Sequence, residues 1–175
     1  MLFRFFAITV FLALHSAAPA CAEEFAKRFT TVDPPRAVPA FVFQDDKGVT
    51  HDLKDYKGRY VLLNLWATWC GPCVKEMPSL DGLQGKFGKN ELSVVALNED
   101  RGGVTAARAF YTAHTLQNLP IFVDRFGEIP YALHASGYPA TYLINPNGME
   151  IGYLEGEADW TAPDAVSFLK AKTAR

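Results

Sequence analysis

Short apolar runs recur along this chain and alternate with polar turns and with segments of helical spacing. Residues 60–66 and 92–97 are predominantly apolar runs, a pattern typical of parallel strands that are buried on both faces. Alternation at 40–43 and again at 49–53, on either side of the turn residues 45–48, predicts an antiparallel hairpin. The first half of the chain therefore predicts a hairpin followed by buried strands.

The second half predicts a similar alternation of strands and helices. Helices are predicted at 70–87, at 104–114, at 129–135 and at 162–171, the first interrupted by Pro78 and the last capped by Asp159 or Thr161. Further strands are predicted at 119–124, 141–145 and 151–154, the last two joined by a turn at 146–148. The resulting order, β-β-β-α-β-α-β-α-β-β-α, predicts an α/β fold: a mixed central sheet flanked by helices on both faces.

The composition agrees with this predicted fold and limits the possible binding partners. The chain has 175 residues, 49% of them hydrophobic, which favours one folded domain over a disordered chain. A formal net charge of −2 gives no electrostatic reason to expect nucleic acid or an anionic membrane surface as partner. We expect a monomer with no bound cofactor.

The N-terminal residues differ from the rest of the chain. Residues 1–22 combine Arg4, a ten-residue apolar stretch and a segment rich in small residues, which predicts an export signal cleaved after Ala20 or Ala22. An uncleaved anchor and lipid attachment at Cys21 are the alternatives. Residues 23–38 contain two prolines and mixed charges and are predicted to be a flexible lead-in, with the folded domain at 39–175.

Two cysteines carry the candidate chemistry. Cys70 and Cys73 lie between the strand at 60–66 and the following helix, where the N–H groups of the first turn stabilise a thiolate. This position predicts that Cys70 is the attacking thiol and Cys73, one turn further on, the resolving thiol. A zinc site would need a second pair of ligands, and haem attachment would need histidine where Val74 stands, so no metal is expected.

Motifs beyond the cysteine pair resemble one family over residues 38–172. The segment from Trp66 to Cys73 is similar to the active site of the TlpA/ResA-like thiol–disulfide oxidoreductases of bacterial envelopes, which have the thioredoxin fold. Four other stretches are similar to motifs of that family: residues 39–58, 76–80, 137–141 and 156–160. The resemblance implies a thioredoxin fold with an N-terminal β-hairpin and an added βα unit.

The helix start supplies three more candidate residues. Gly71 and Pro72 separate the cysteines as in reducing thioredoxins, which favours a reductant. Glu76, three residues after Cys73, returns to the face of that thiol and is the candidate proton carrier. The strand position at which thioredoxin has an aspartate is Asn64, which cannot titrate, so the resemblance assigns the acid–base role to Glu76.

Three candidate residues are expected to form the substrate-binding side. Trp69 is predicted to offer an apolar docking surface beside Cys70, whereas Trp66 is predicted to be core. The resemblance implies a cis peptide bond between Tyr138 and Pro139, opposite the dithiol, whose backbone pairs with a substrate strand. The charged run 98–101 is predicted to be a solvated loop, and the histidines are predicted to be surface or packing residues.

Taken with the resemblance, these residues imply a periplasmic reductase of disulfides in envelope proteins, supplied with electrons by a membrane thiol reductant. The implied clients are apocytochrome c or the copper-site assembly factors of cytochrome oxidase. A thiol oxidant or isomerase and a redox-silent binding module remain open as alternatives. A peroxidase fits less well, because the Thr-x-x-Cys pattern is absent at this turn.

Overall fold

The computed structural model describes residues 22–88 and 90–174. All but the last residue of the predicted signal, with Cys21, lies outside the described residues, so cleavage, anchoring and lipid attachment stay predictions. Within the described ranges, no helix is long and apolar enough to cross a membrane.

The elements in chain order are α1 (Ala22–Arg28), β1 (Thr30–Ala37), β2 (Val42–Asp45), β3 (Thr50–Asp52), a 3₁₀ helix (Leu53–Tyr56), β4 (Tyr60–Trp66), α2 (Gly71–Lys86), β5 (Leu92–Asn98), α3 (Gly103–Ala113), β6 (Phe122–Val123), α4 (Ile129–Ala132), β7 (Ala140–Ile144), β8 (Met149–Glu155) and α5 (Pro163–Thr173). In the described part of the chain, eight strands form one mixed sheet in the order β1-β8-β7-β4-β5-β6-β2-β3. The central strand β4 pairs in parallel with β5 and antiparallel with β7, and β2 and β3 form the predicted hairpin. From β2 onwards, the predicted order of elements is confirmed.

The two faces of the sheet carry separate hydrophobic cores. Because side chains of a strand alternate between faces, Leu62 and Trp66 of β4 enter one core, whereas Leu63 and Leu65 enter the other. The first core contains buried residues of α1, α2, α3 and α5, and the second contains Ile129 of α4. Both faces of β4 are therefore covered, which explains why its sequence is apolar except at Asn64.

Residues 23–38 are not the flexible lead-in that their composition predicted. Phe25 of α1 and Phe29, which directly follows that helix, are buried and pack against Phe168 of α5, and β1 pairs antiparallel with β8. Arg36 donates two hydrogen bonds of 2.8 Å to the Glu150 carboxylate across that pair. The prolines are compatible with this strand because β1 is at the edge of the sheet, where an N–H on the outer side needs no partner strand.

Two smaller predictions were also wrong. The last helix begins after Ala162, which makes no side-chain cap, whereas Asp159 accepts hydrogen bonds from Thr161 before the helix starts. The strand predicted at 119–124 is limited to Phe122–Val123, in agreement with the missing N–H group of Pro120. Neither difference changes the position of the dithiol, which lies at the end of β4.

Candidate active site

The dithiol lies where the chain leaves the central strand and enters the first long helix. Cys70 is the N-cap of α2, and its sulfur accepts a hydrogen bond of 3.2 Å from the backbone N–H of Cys73. The two cysteines form a disulfide, with Cys73 fully buried and Cys70 only 6% exposed. Pro72 occupies the first helical turn, where its missing N–H would have no partner in any case.

This position determines the chemistry available to Cys70. Because the N-terminus of a helix carries partial positive charge and unpaired N–H groups, a thiolate at Cys70 is stabilised when the disulfide is reduced. Gly71 and Pro72 are exposed, and a side chain at Gly71 would meet no atom within 4 Å. An approaching molecule therefore reaches the dithiol from the side of Gly71 and Pro72.

Glu76 lies one helical turn beyond Cys73 and is only 2% exposed. Its Oε1 accepts a hydrogen bond of 2.8 Å from Asn64 Nδ2, and its Oε2 accepts from the N–H of Ala158 at 3.1 Å and from Trp160 Nε1 at 3.2 Å. Burial raises the pKa of Glu76 to about 7, although the three donors lower it. This carboxyl group is therefore able to take up or release a proton near neutral pH.

Asn64 connects Glu76 to the sheet. Its Nδ2 also donates a hydrogen bond of 2.9 Å to Thr141 Oγ1, so it links β4, α2 and β7. The side chain is fully buried, and its Oδ1 has no hydrogen-bond partner among the described residues. Asn64 therefore holds the Glu76 carboxyl group in a defined position relative to the sheet.

Two aromatic residues, Trp69 and Tyr138, lie near the dithiol at the end of the sheet. The Trp69 ring is 66% exposed and meets the Tyr138 ring edge to face, with centroids 5.5 Å apart. The peptide bond between Tyr138 and Pro139 is cis, as the resemblance implied. The next residue, Ala140, pairs with Leu65 of β4, so this peptide and the dithiol share one end of the sheet.

The charged run 98–101 is not the solvated loop that the sequence predicted. Asn98 and Asp100 are buried, and the Asp100 carboxylate accepts hydrogen bonds from the Thr68 N–H, the Thr68 hydroxyl and Asn98 Nδ2. Asp100 therefore fixes the turn that precedes Trp69 and Cys70. The prediction failed because these polar groups follow a buried strand and pair with one another instead of with water.

Glu99 lies beside Asp100 and Asp124, close to this turn. Burial, together with the carboxylates of Asp124 and Asp100, raises the pKa of Glu99 to about 9. Asp124 in turn accepts hydrogen bonds from the N–H groups of Phe126, Gly127 and Ile129. Because its pKa lies above neutral pH, Glu99 holds its proton there and has a side-chain hydrogen bond with Asp124.

A groove of about 980 Å³ joins this carboxyl pair to the Trp69 side of the dithiol. Its lining includes Trp69, Glu99, Asp124 and Tyr138, together with the exposed aromatic rings of Phe126 and Tyr131. We refer to it as the aromatic groove. Sequence reasoning missed Glu99, Asp124, Phe126 and Tyr131, although Glu99 and Asp124 directly follow neighbouring parallel strands, whose carboxyl ends share one edge of a sheet.

All eight residues predicted for the site lie at this end of the sheet. Five belong to α2 or its cap, Trp69 precedes them, and Tyr138 and Pro139 precede β7. The sequence did not predict that Asn64, Ala158 and Trp160 donate hydrogen bonds to Glu76. Trp160 was recognised only as part of the family's C-terminal motif, and no local signal connects it to a glutamate 84 positions away.

Comparison with known proteins agrees with this geometry. The AhpC/TSA family matches residues 34–150. The thiol-disulfide oxidoreductase ResA of Bacillus thuringiensis subsp. konkukian (strain 97-27) is 35% identical over 122 residues, which cover 70% of this chain and 69% of ResA. ResA of Bacillus subtilis (strain 168) is 34% identical over 118 residues, which cover 67% of this chain and 65% of that protein.

A solved structure agrees with the fold as well. The crystal structure of a protein assigned as thiol:disulfide interchange protein DsbE, from Chlorobium tepidum, matches with a TM-score of 0.67 at 27% identity, covering 81% of this chain and 96% of that one. The mixed sheet with helices on both faces is therefore a thioredoxin fold. The chain belongs to the AhpC/TSA family and is a thiol–disulfide oxidoreductase similar to ResA.

Proposed function

We propose that this chain is an exported reductase that transfers two electrons from Cys70 and Cys73 to disulfides of envelope proteins. The observation that carries the proposal is the position of the dithiol: its first sulfur caps the exposed start of α2, and a buried carboxyl group lies one turn further along the same helix. A thiolate is stabilised at the first position, and a proton acceptor is available beside the second.

The first step is attack by Cys70. In the reduced enzyme, its thiolate attacks one sulfur of the client disulfide and forms a mixed disulfide, while the other client sulfur leaves as a thiolate. Trp69, Tyr138 and the cis peptide before Pro139 would bind the client segment next to Cys70. Gly71 and Pro72 leave the approach open.

The second step is resolution by Cys73. Glu76 takes the proton of the Cys73 thiol, and the resulting thiolate attacks the Cys70 sulfur. The second client sulfur then leaves as a thiolate, and the enzyme holds the Cys70–Cys73 disulfide. A pKa of Glu76 of about 7 suits this task, because efficient proton transfer needs a carboxyl group that titrates near the working pH.

The cellular setting belongs to the same proposal. The signal pattern of residues 1–22 supports export to the periplasm, with or without a membrane tether. A membrane thiol reductant would restore the dithiol after each cycle. Similarity to ResA supports clients in cytochrome biogenesis, either apocytochrome c or copper-site assembly factors of cytochrome oxidase.

The midpoint potential of the Cys70–Cys73 couple tests the direction of transfer. We expect a value near that of thioredoxin, about −270 mV, when the purified protein is equilibrated with thiol buffers. A value near that of DsbA, about −120 mV, would instead identify an oxidant or isomerase. Absence of a two-electron couple would leave only a binding module.

Capture of clients gives a second, independent test. A Cys73→Ser variant cannot resolve the mixed disulfide, so we expect it to retain envelope proteins covalently on Cys70. The matched control is a Cys70→Ser, Cys73→Ser double variant, which has no attacking thiol. Equal recovery from both variants would contradict the assigned roles.

A further inference from the structure

A cleft of about 540 Å³ lies between α2 and residues 157–161, and Glu76 is one of the residues that line it. The other lining residues are mostly charged or polar: Arg28, Lys75, Pro78, Ser79, Glu157, Ala158, Asp159 and Thr161. Lys75 and Asp159 are exposed, so the cleft opens to solvent on their side. A polar cleft of this size has room for water. We refer to it as the Glu76 cleft.

Two adjacent contacts join the walls of the Glu76 cleft. Lys75 forms an ion pair with the Glu157 carboxylate, and the N–H of Ala158 donates a hydrogen bond of 3.1 Å to Glu76 Oε2. Two consecutive residues of α2 thus contact two consecutive residues of the opposite wall. Burial is the largest cause of the raised pKa of Glu76, and the charge on Glu157 raises that pKa further. The two carboxyl groups are therefore neighbours across the cleft.

Further hydrogen bonds fix the wall that carries Glu157. Arg28 Nη2 donates to the Glu157 carbonyl oxygen, and Ser79 Oγ accepts from the Trp160 N–H at 3.1 Å. Ser79 Oγ also donates to the Glu76 carbonyl oxygen at 2.7 Å. Both α1 and α2 thus hold this wall, so the position of Glu157 beside Glu76 is part of the folded structure.

The proton that Glu76 takes from Cys73 needs a route to solvent. Glu76 is buried, and a client joined to Cys70 would occupy the Trp69 side of the dithiol. Among the described residues, none that lines the Glu76 cleft also lines the aromatic groove. A bound client would therefore leave the Glu76 cleft open.

We propose that the proton taken up by Glu76 leaves through the Glu76 cleft, with the Glu157 carboxylate as its next acceptor. This inference rests on the proposed function, because it continues the step in which Cys73 resolves the mixed disulfide. The Cys73 S–H bond breaks as an O–H bond forms on Glu76, and the proton then passes through water to Glu157 and on to solvent. Both carboxyl groups end ionised, and the client thiolate that leaves takes a proton from solvent.

The rate at which Glu76 exchanges its proton tests this route. Relaxation dispersion of the isotopically labelled Glu76 carboxyl carbon measures that rate in the oxidised protein, with each variant held at its own midpoint pH. Glu157→Gln keeps the shape of the side chain and removes the acceptor, so we expect exchange to slow about tenfold or more in dilute buffer. An exchange rate within about twofold of wild type would contradict the relay.

The matched control is Glu155→Gln. Glu155 belongs to the same part of the chain, is exposed and does not line the Glu76 cleft. This variant makes the same chemical change, so we expect it to exchange the Glu76 proton at the wild-type rate. Equal slowing in both variants would show that the position of Glu157 in the cleft is irrelevant.

A double variant separates a relay from an effect of charge. Glu157→Gln also removes a negative charge near Glu76, which should lower the pKa of Glu76. Lys75→Gln with Glu157→Gln removes both charges of the ion pair and leaves Arg28 and Asp159, the other charged lining residues, unchanged. The pKa of Glu76 should then return towards the wild-type value, whereas exchange should remain slow. Wild-type exchange in the double variant would mean that only the charge matters, and the relay would be wrong.

Imidazole tests whether the Glu76 cleft itself is the route. A small diffusible proton carrier that enters the cleft can replace the missing carboxylate, so exchange in Glu157→Gln should become faster as imidazole is added. A rate that does not respond to imidazole would rule out the cleft.

These measurements also separate the relay from the proposed function. They use the oxidised protein and do not depend on reduction of any client. A wild-type protein that reduces no disulfide would contradict the reductase function whatever its exchange rate. A reductase in which Glu157→Gln exchanges the Glu76 proton as fast as wild type would contradict only the relay.

Discussion

Two glutamates flank the dithiol in opposite ways. Glu76 receives three hydrogen bonds, from Asn64, Ala158 and Trp160, and its pKa is raised only to about 7. Glu99 lies beside the carboxylates of Asp124 and Asp100, and its pKa is raised to about 9. Burial is the largest cause of both shifts, so the difference between the two sides comes from the neighbours.

The comparison separates the proposed proton carrier, Glu76, from a carboxyl group that stays neutral, Glu99. At neutral pH Glu76 is near its midpoint, as the proposed proton exchange with a thiol requires, whereas Glu99 stays protonated. Donors directed at a carboxylate favour its charged form, and neighbouring carboxylates oppose it. The same residue type thus has a pKa suited to proton transfer in one environment and remains neutral in the other.

The largest effect is expected when Glu76 loses its ability to titrate. Glu76→Gln keeps the shape of the side chain and removes its proton, so resolution of the mixed disulfide should slow about 100-fold or more at neutral pH. The inflexion of the rate near pH 7 should disappear with it. Stopped-flow measurement of resolution checks this prediction. A rate within threefold of wild type would show that Glu76 is not the proton carrier.

The pH dependence of the free energy of unfolding should distinguish Glu76 from Glu99. Because folding raises the pKa of Glu76 from 4.5 to about 7, the unfolded chain loses this proton first, and the free energy of unfolding falls as pH rises through that interval. The loss amounts to about 3 kcal/mol above the upper value. Glu99 has the same sign, but its interval extends from 4.5 to about 9.

Urea denaturation of the oxidised protein measures both contributions. We expect Glu76→Gln to flatten the stability curve up to about pH 7 and Glu99→Gln to flatten it further into the alkaline range. Curves for both variants that run parallel to that of the wild type would rule out the assigned pKa directions.

A third variant gives Glu76 a neighbouring carboxyl group, as Glu99 has. Asn64→Asp replaces a donor 2.8 Å from Glu76 with a second carboxyl group, so the two carboxyl groups should share one proton. The inflexion assigned to Glu76 should move up by about one to two pH units. Carboxyl NMR titration measures the shift, and Asn64→Ala, which removes the donor without adding charge, should give a smaller one.

The smallest expected effect concerns Trp160. Trp160→Phe removes one donor to Glu76 Oε2 while the Ala158 N–H remains, so the pKa of Glu76 should rise by less than about one unit. The free energy of unfolding should fall by about 1 kcal/mol at a pH where Glu76 is ionised. Phe25→Leu alters the packing of Trp160 but no hydrogen bond, so it should lower stability without moving the pKa.

The parts of the fold that sequence predicted are those with strong local signals. The apolar run at 60–66 coincides with β4, and the helix predicted from Cys70 is α2, Gly71–Lys86. Residues 23–38 gave the wrong prediction because prolines and charges are common both in linkers and in edge strands. Only the pairing of β1 with β8 and the burial of Phe25 and Phe29 distinguish the two cases.

For a similar reason, the sequence predicted some residues of the site and missed others. The dithiol, Trp69 and Glu76 lie within eight consecutive residues, so helical spacing was enough to group them. Glu99 and Asp124 follow different strands, and their charges indicated solvent exposure when each was considered alone. Their mutual burial follows from the parallel pairing of β5 and β6.

The sequence by itself determined the strand, the helix start and the cysteine pair, because backbone preferences and side-chain periodicity act over a few residues. Only the tertiary structure decided which groups surround each carboxyl: the Ala158 and Trp160 donors of Glu76 and the Asp124 partner of Glu99. A pKa depends on solvation and on atoms within a few ångströms, and distant segments of the chain supply those atoms only after they pack together.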